Sequence, residues 1–504
     1  MWTSVMQAFA MVFDPYTLMV MVIASFYGLF VGAVPGLSAT MATALLVPVT
    51  FFMPPIPAVA AIVTATAMAI FSGDIPGCLL RIPGTPASAA YTDEAYNLTR
   101  KGQAEVALGA GLVFSAIGGL FGTVVLIFGA PMLADFAVQF SSFEYFWLVL
   151  LGLTCAVFIS SSQPLKGLMT LALGLLVGCV GLGNPAGFPR FTMGNVELSG
   201  GIGMIPMMIG MFAISEVLRY VVDTSPNPEL VVNKVGGVLK GQWALMKKYP
   251  MQILRGSTLG TAVGILPGAG ADIAAWMSYA MSKKFSKEPE KYGTGHVEGI
   301  VESGAANNSA LAGAWIPALV FGIPGDSITA IVIGVLYMKN MNPGPSLFTT
   351  NPENIYAVFL IFILANIIMI PLGILCIRAS ARILRVPRNI LMPVILLFCI
   401  VGTFAINNSV FDLGVMLVAG VVAYLLEENK FPIAPAILGL VLGGMLEENF
   451  ITSMIKSDGN LGAFFSRPIA LVLAVTTILV WLIPPMLALW RKYRGPAVAL
   501  NAGR

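Results

Sequence analysis

Four Pro-Gly steps carry the groups on this chain best suited to chemistry. They are Pro35-Gly36 in "GAVPGLSA", Pro83-Gly84 in "RIPGTPASAA", Pro267-Gly268 in "GILPGAGA" and Pro324-Gly325 in "GIPGDSITA". Each interrupts an apolar run. A helix broken inside such a run exposes N–H groups at one stump and carbonyls at the other. The N-terminal stump carries partial positive charge and can hold an anion without a buried lysine or arginine, and the carbonyl stump suits a hard cation such as Na⁺. Gly allows close backbone approach, and Pro suits the first turn of the helix that follows. Hydroxyl and amide side chains stand beside the breaks and can donate or accept without desolvating a full charge. The expected substrate site is therefore Pro35, Gly36, Ser38, Pro83, Gly84, Thr85, Ser88, Pro267, Gly268, Gly270, Asn307, Asn308, Pro324, Gly325 and Ser327. The competing reading is that these small residues only let helices pack closely.

Carboxylates inside apolar runs are costly and need a reason. Asp74, Asp272 and Asp326 lie within a few residues of the breaks and, with Asn307 and Thr329, are expected to bind a coupling ion. The alternative is that they cap broken helix ends. That alternative weighs as much as function at Asp326, directly after Pro324-Gly325, and less at Asp272, which has no acidic equivalent at 39–42. Glu302 belongs closer to the cytoplasmic surface. The single histidine, His296 in "GTGHVEG", has no ligand partners at metal-binding spacing and no triad to join. An enzyme, a resident cofactor and an ATP-driven pump are not expected; Na⁺ or a proton is the only ion implied.

The elements that must position these residues are membrane helices. The chain of 504 residues is 57% hydrophobic and only 10% charged, against roughly 25% charged in soluble domains. Its mean hydropathy is +0.88. With a net charge of +3 and no basic tract, nucleic acid is not a partner. The five cysteines lie in apolar stretches without paired spacing, as small core residues do. The N-terminal "MWTSVMQAFAMVFDPY" has no basic leader or cleavage site and reads as mature protein. The runs 15–52 and 250–282 are long for one crossing and short for two. Helical hairpins turning at Pro35-Gly36 and Pro267-Gly268 resolve this, with pairs of short spans as the alternative. Two such hairpins leave about eleven crossings, so the termini lie on opposite faces. With "RKYR" of the C-terminus inside and the N-terminus periplasmic, all 27 basic residues except Arg190, Lys339, Lys456 and Arg467 fall on the cytoplasmic side.

The breaks are also repeated in order. "CAVFISSSQPL" (155–165) is echoed by "GTFAINNSVF" (402–411), and "IPMMIGMFAISE" (205–216) by "APAILGLVLGGMLE" (434–447). The chain divides into a first repeat (1–222), a cytoplasmic linker (223–249), a second repeat (250–449) and a loop, final transmembrane helix and tail (450–504). An odd number of crossings per half inverts the second copy. Inverted repeats with paired Gly/Pro-broken segments point to a secondary transporter with its site at the repeat interface. The fold expected is an all-α polytopic membrane protein with two re-entrant-type hairpins and broken helices, an arrangement suited to elevator-type motion.

"GLFVGAVPGLSATMATALLVPVTF" (28–51), "RIPGTPASAAYTDEAYNLTRKGQAEVALG" (81–109), "GILPGAGADIAAW" (264–276) and "ESGAANNSALAGAWIPALVFGIPGDSITA" (302–330) resemble the large membrane subunit of bacterial tripartite tricarboxylate transporters. The resemblance spans nearly the whole chain. It implies residence in the bacterial inner membrane and uptake of citrate or a related carboxylate driven by an ion gradient. It also implies two partners, a periplasmic solute-binding protein and a small membrane subunit, and allows a homodimer. The chain departs from the family at Asp74, Cys78 and Arg81, where smaller or neutral residues are expected, and at "YTDEAYNLTRKG". Arg81 is either a surface charge or a selectivity residue for a second carboxylate. A carboxylate-permeable channel without ion coupling is the rival reading.

Overall fold

The computed structural model describes residues 2–34, 37–160, 163–183, 187–222, 237–384 and 388–493. Pro35 and Gly36, most of the expected linker and the end of the C-terminal tail lie outside the described residues. The described chain is helical, with a single isolated bridge between Gly181 and Arg190.

The first half runs α1 (Trp2–Val12), α2 (Pro15–Ala33), α3 (Ala39–Phe51), α4 (Pro55–Ser72), α5 (Asp74–Leu80), α6 (Thr92–Arg100), α7 (Ala104–Ala137), α8 (Ser142–Ser160), α9 (Pro164–Gly178), a short α10 (Val196–Ser199), α11 (Met204–Ile209) and α12 (Ser215–Val222). The second runs α13 (Gln242–Lys248), α14 (Pro250–Ile265), α15 (Gly270–Phe285), α16 (Val297–Phe321), α17 (Ser327–Met338), α18 (Pro345–Thr350), α19 (Pro352–Ile383), α20 (Arg388–Asn407), α21 (Val410–Glu428) and α22 (Ala434–Lys456), and α23 (Pro468–Tyr493) follows. Proline at the first helical position opens α2, α4, α9, α14 and α19, where its missing N–H costs nothing. Asp14 adds a cap to α2 by accepting from the N–H groups of Tyr16 and Thr17.

Eight helical stretches among the described residues are long and apolar enough to cross a membrane, as the composition requires. Among them is α2, at 19 residues. By contrast α14 and α15 have 16 each. Both pairs fold back on themselves: the Tyr27 hydroxyl of α2 donates to the Ala42 carbonyl of α3 at 2.9 Å, and α14 packs along α15. The two central helices, α4 and α16, are buried along nearly their whole lengths. Glu298, Glu302, Ser303, Asn307, Asn308 and Ser309 of α16 thus sit inside protein rather than in lipid. Glu302 is fully buried and meets Arg255 of α14 in a two-pronged ion pair, at 2.6 and 2.5 Å, which provides the countercharge it needs.

The halves make matching close approaches. In α2, Gly28 and Gly32 lie against the backbone of Ala65 and Ala69 of α4; in α14, Gly260 and Gly264 lie against Ala306 and Ala310 of α16. Gly84 abuts Gly73 and the Gly32 carbonyl, as Gly325 abuts Ala314 and the Gly264 carbonyl. Aligned on these contacts, "GDIPGCLLRIPG" (73–84) matches "AWIPALVFGIPG" (314–325). The ends of α5 and α16 close alike. The N–H groups of Arg81 and Ile82 bond back to Gly77 and Pro76, and those of Gly322 and Ile323 to Ala318 and Pro317. This is a Schellman ending, with Arg81 at φ 60° where the second half has Gly322 at φ 68°. A second set of helices repeats likewise. Gly174 of α9 packs on Ala436 of α22, and Gly210, which follows α11, packs on Met416 of α21. The break between α8 and α9 has its counterpart between α20 and α21, where Ser409 caps α21; residues 161–162 lie outside the described residues.

Candidate functional site

The broken segments converge on one cavity of about 580 Å³. Its wall takes Ser38 and Thr40 from the start of α3, Thr85 to Ala87 after the first IPG step, and Gly268 to Asp272 at the start of α15. Asp326 and Ser327 at the start of α17, and Asn307 from the middle of α16, complete that side. Three helix N-termini from both halves therefore face one space, as anion binding by backbone dipoles requires. The opposite wall is Phe212 and Ser215, at and just after the π-helical turn Gly210–Ile214 between α11 and α12, with Arg219, Glu427 and the start of α22.

Local bonding explains the shape. Ser38 caps α3, its hydroxyl accepting from the Met41 N–H at 3.1 Å. Thr85 and Ser88 bond each other's backbones, the Thr85 N–H donating to the Ser88 hydroxyl and the Ser88 N–H to the Thr85 hydroxyl. Gly268 and Gly270 have φ of 80° and 60°, a region costly for residues with a Cβ. The Gly268 N–H donates to the Gly325 carbonyl at 2.7 Å, fastening the second hairpin to the second IPG step. The two halves meet where the Asp272 carboxylate accepts from the Ala87 N–H at 3.1 Å.

The expected site residues separate by place. Ser38, Thr85, Gly268, Gly270, Asp272, Asn307, Asp326 and Ser327 line the cavity. Gly84, Ser88, Pro324, Gly325 and Thr329 stand behind it as buried support. Pro83 is exposed away from it, Pro267 touches Gly152 of α8, and Asn308 points to Met369 of α19. Pro35 and Gly36 lie outside the described residues. The three acids also differ. Asp326 forms a capping box on α17 with Thr329, so the capping role is realised there. Asp272 faces the cavity and holds Ala87. Asp74 makes no cap bond although it opens α5; it accepts from the Tyr91 hydroxyl at 2.6 Å, with Asn307 on the other side of that hydroxyl at 3.4 Å.

Arg81 is exposed, pairs with Asp93 at 2.9 Å and lies over Tyr96. It stands off the cavity, which is the surface-charge alternative. The cation on the cavity wall is instead Arg219, the one Lys or Arg among the described lining residues, held by Glu216 at 2.7 Å and Glu427 at 2.5 Å. Nothing in "ISEVLRY" marks it in the sequence, where the stretch reads as an ordinary helix end. Its i,i+3 partner is visible in the sequence; Glu427, more than two hundred residues away, is not. In "YTDEAYNLTRKG", the buried carboxylate of Glu94 accepts from the N–H groups of Gly293, Gly295 and His296 and from the Tyr279 hydroxyl, fixing the loop before α16.

A multi-pass helical membrane protein whose matched broken helices turn their N-termini toward one cavity belongs with the membrane transporters rather than with enzymes. The chain belongs to the TctA family of tripartite tricarboxylate transporters, whose family model matches residues 18–438. That family supplies the large membrane subunit of a tripartite system. Among relatives is an uncharacterised 52.8 kDa protein in the TAR-I ttuC' 3' region of Agrobacterium vitis, 32% identical over 460 residues that cover 91% of each chain. Another, in the TAR-II ttuC' 3' region of the same organism, is 33% identical over 228 residues, covering 45% of this chain and 94% of the relative. No solved structure matches the chain.

Proposed function

We propose that the protein carries out secondary active, ion-coupled uptake of a citrate-like carboxylate, delivered by a periplasmic binding protein and taken across the inner membrane with a small membrane subunit. The observation that carries this reading is the convergence of the α3, α15 and α17 N-termini and the Thr85–Ala87 turn on one cavity. Backbone N–H groups there hold the carboxylate, and Arg219 offers the side-chain cation for a second carboxylate. The same cavity wall bears Asp272 and Asp326. An anion entering beside two carboxylates is repelled unless a cation or proton enters with it. That favours coupled transport over a channel, and assigns the coupling ion to Asp272, Asp326, Asp74, Asn307 and Thr329. The two halves, inverted in the membrane, expose the cavity to each face in turn as the hairpin-bearing helices move against those carrying Arg219 and Glu427.

The test is uptake of labelled citrate and a panel of di- and tricarboxylates into vesicles holding this chain and its small partner, with the binding protein outside. Na⁺ and H⁺ gradients are imposed separately. Accumulation above equilibrium with one gradient alone supports the reading and identifies the ion. Equilibration without accumulation for every acid favours the channel.

A further inference from the structure

Behind the cavity wall lies a second polar cluster, joined to the wall through Asn307. Its centre is Asp74, 5% exposed. One carboxylate oxygen accepts from Tyr91; the other, Oδ2, has no partner. Two further oxygens in the same interior are unpartnered, Oδ1 of Asn307 and Oγ of Ser303, both on fully buried residues. Ser303 and Asn307 are four apart on α16 and so share a face. Asn307 reaches Tyr91 directly. Gly111 of α7 faces Asp74 Oδ2 so closely that a Cβ there would stand 2.8 Å from it, and the same glycine abuts Gly304, the neighbour of Ser303. Asp74, Tyr91, Gly111 and Asn307 thus meet at one place in the interior, with Ser303 one helical turn along the same face of α16 from Asn307.

What such a cluster wants follows from its atoms. Buried acceptors without donors are expensive, and a buried carboxylate without a countercharge is more so. No ion pair among the described residues includes Asp74; the nearest basic residue in sequence, Arg81, is committed to Asp93 outside. The missing partner is a cation that several oxygens can share. One carboxylate with neutral amide and hydroxyl oxygens balances a single charge, whereas a divalent ion would leave a net charge buried. The alignment of the halves places Trp315 opposite Asp74, so the second half has no carboxylate at the matching position.

Resting on the coupled-transport reading above, we infer that Asp74, Asn307 and Ser303, with the Tyr91 hydroxyl, form a binding site for one monovalent cation of the Na⁺ class. Asn307 belongs both to this cluster and to the cavity wall. Filling the site sets the orientation of that amide, and the amide in turn meets the carboxylate. The cation acts behind the substrate rather than in contact with it.

The test uses the purified full chain and Na⁺ itself, read as thermal stability against NaCl with choline chloride holding ionic strength constant. The wild type should be stabilised saturably by Na⁺. In Asp74→Asn the half-saturating Na⁺ concentration should rise by roughly tenfold or more, the scale of one charged interaction lost, whereas Gly414→Ala, whose added Cβ meets nothing within 4 Å, should keep the wild-type value. Ser303→Ala deletes an oxygen that has no bond in the protein. It should fold normally and still weaken Na⁺ binding several-fold, which keeps the test decisive if Asp74→Asn fails to fold. An unchanged half-saturation in either Asp74→Asn or Ser303→Ala overturns the assignment. So does a wild type indifferent to Na⁺ whose stability follows pH in an Asp74-dependent way, which would make the cluster a proton carrier. Because this readout is binding, its outcome is separate from the uptake experiment: vesicles that bind Na⁺ but move no carboxylate would overturn the transport reading alone.

Discussion

Gly325→Ala is the sharpest perturbation of the broken-helix geometry. A Cβ at Gly325 would stand 2.7 Å from the Ala314 Cβ and 2.7 Å from the Gly264 carbonyl oxygen. Neither neighbour can yield alone, since one belongs to buried α16 and the other is α14 backbone. Overpacking of this kind costs about 1–3 kcal/mol. The shift needed to relieve it, roughly half an ångström or more given ordinary contact distances, passes to Gly268, whose N–H bonds the Gly325 carbonyl at 2.7 Å. Gly268 lines the cavity, so the anion-binding N–H groups lose their aim. A displacement approaching 1 Å can cost up to about a hundredfold in a positioned site. We expect carboxylate uptake, normalised to protein in the membrane, to fall about ten- to a hundredfold, with a lower melting temperature. Gly414→Ala is the control: it sits within α21 with nothing within 4 Å of the added Cβ, and should leave uptake unchanged while gaining up to about 1 kcal/mol of helix propensity. The assay is vesicle uptake with thermal melts of both variants. Wild-type uptake and melting in Gly325→Ala would refute the claim that this contact sets the site.

Arg219→Gln removes the cation from the cavity wall, and KM for multivalent carboxylates should rise about tenfold with a smaller change for a monocarboxylate; equal effects on both, measured in the same vesicles, would remove its role in recognition. Arg81→Gly should be neutral to stabilising by about 1 kcal/mol, because it relieves a left-handed backbone and loses only an exposed ion pair of small worth; substrate preference should not move, and a changed carboxylate ranking would restore Arg81 as a selectivity residue. Arg255→Met strands the fully buried Glu302 and should cost about 3 kcal/mol in unfolding free energy, of which the double variant Arg255→Met with Glu302→Leu recovers most; denaturant melts of single and double variants decide it. Asp272→Asn keeps an oxygen for the Ala87 N–H, so melting should stay near wild type while the ion dependence of uptake changes; an unaltered ion-activation curve would reduce Asp272 to a clasp between the halves.

Much of this was legible in the residues. The Pro-Gly breaks, their order and their recurrence followed from what Pro and Gly do to a helix, and the membrane class from a composition too poor in charge to coat a soluble surface. The small residues after each break, Ser38, Thr85, Gly270 and Ser327, were placed on the cavity because a cap or first turn is set by its immediate neighbours. Other features depend on partners far apart in the chain. Asp74, Asp272 and Asp326 are the same residue type, and only Asp326 finds its partner locally, three residues on; those of Asp74 and Asp272 lie 17 and 185 residues away. The structure makes one a helix cap, one a clasp across the halves and one a buried carboxylate with an unpartnered oxygen, because their neighbours are Thr329, Ala87 and Tyr91. Arg219 lines the cavity and Arg81 stands off it for the same reason. Sequence alone determined where the backbone must break, since that is a property of the residues at the break; which polar groups face one another across the break was decided by packing, since charge and hydrogen bonding act through distance in space and not along the chain.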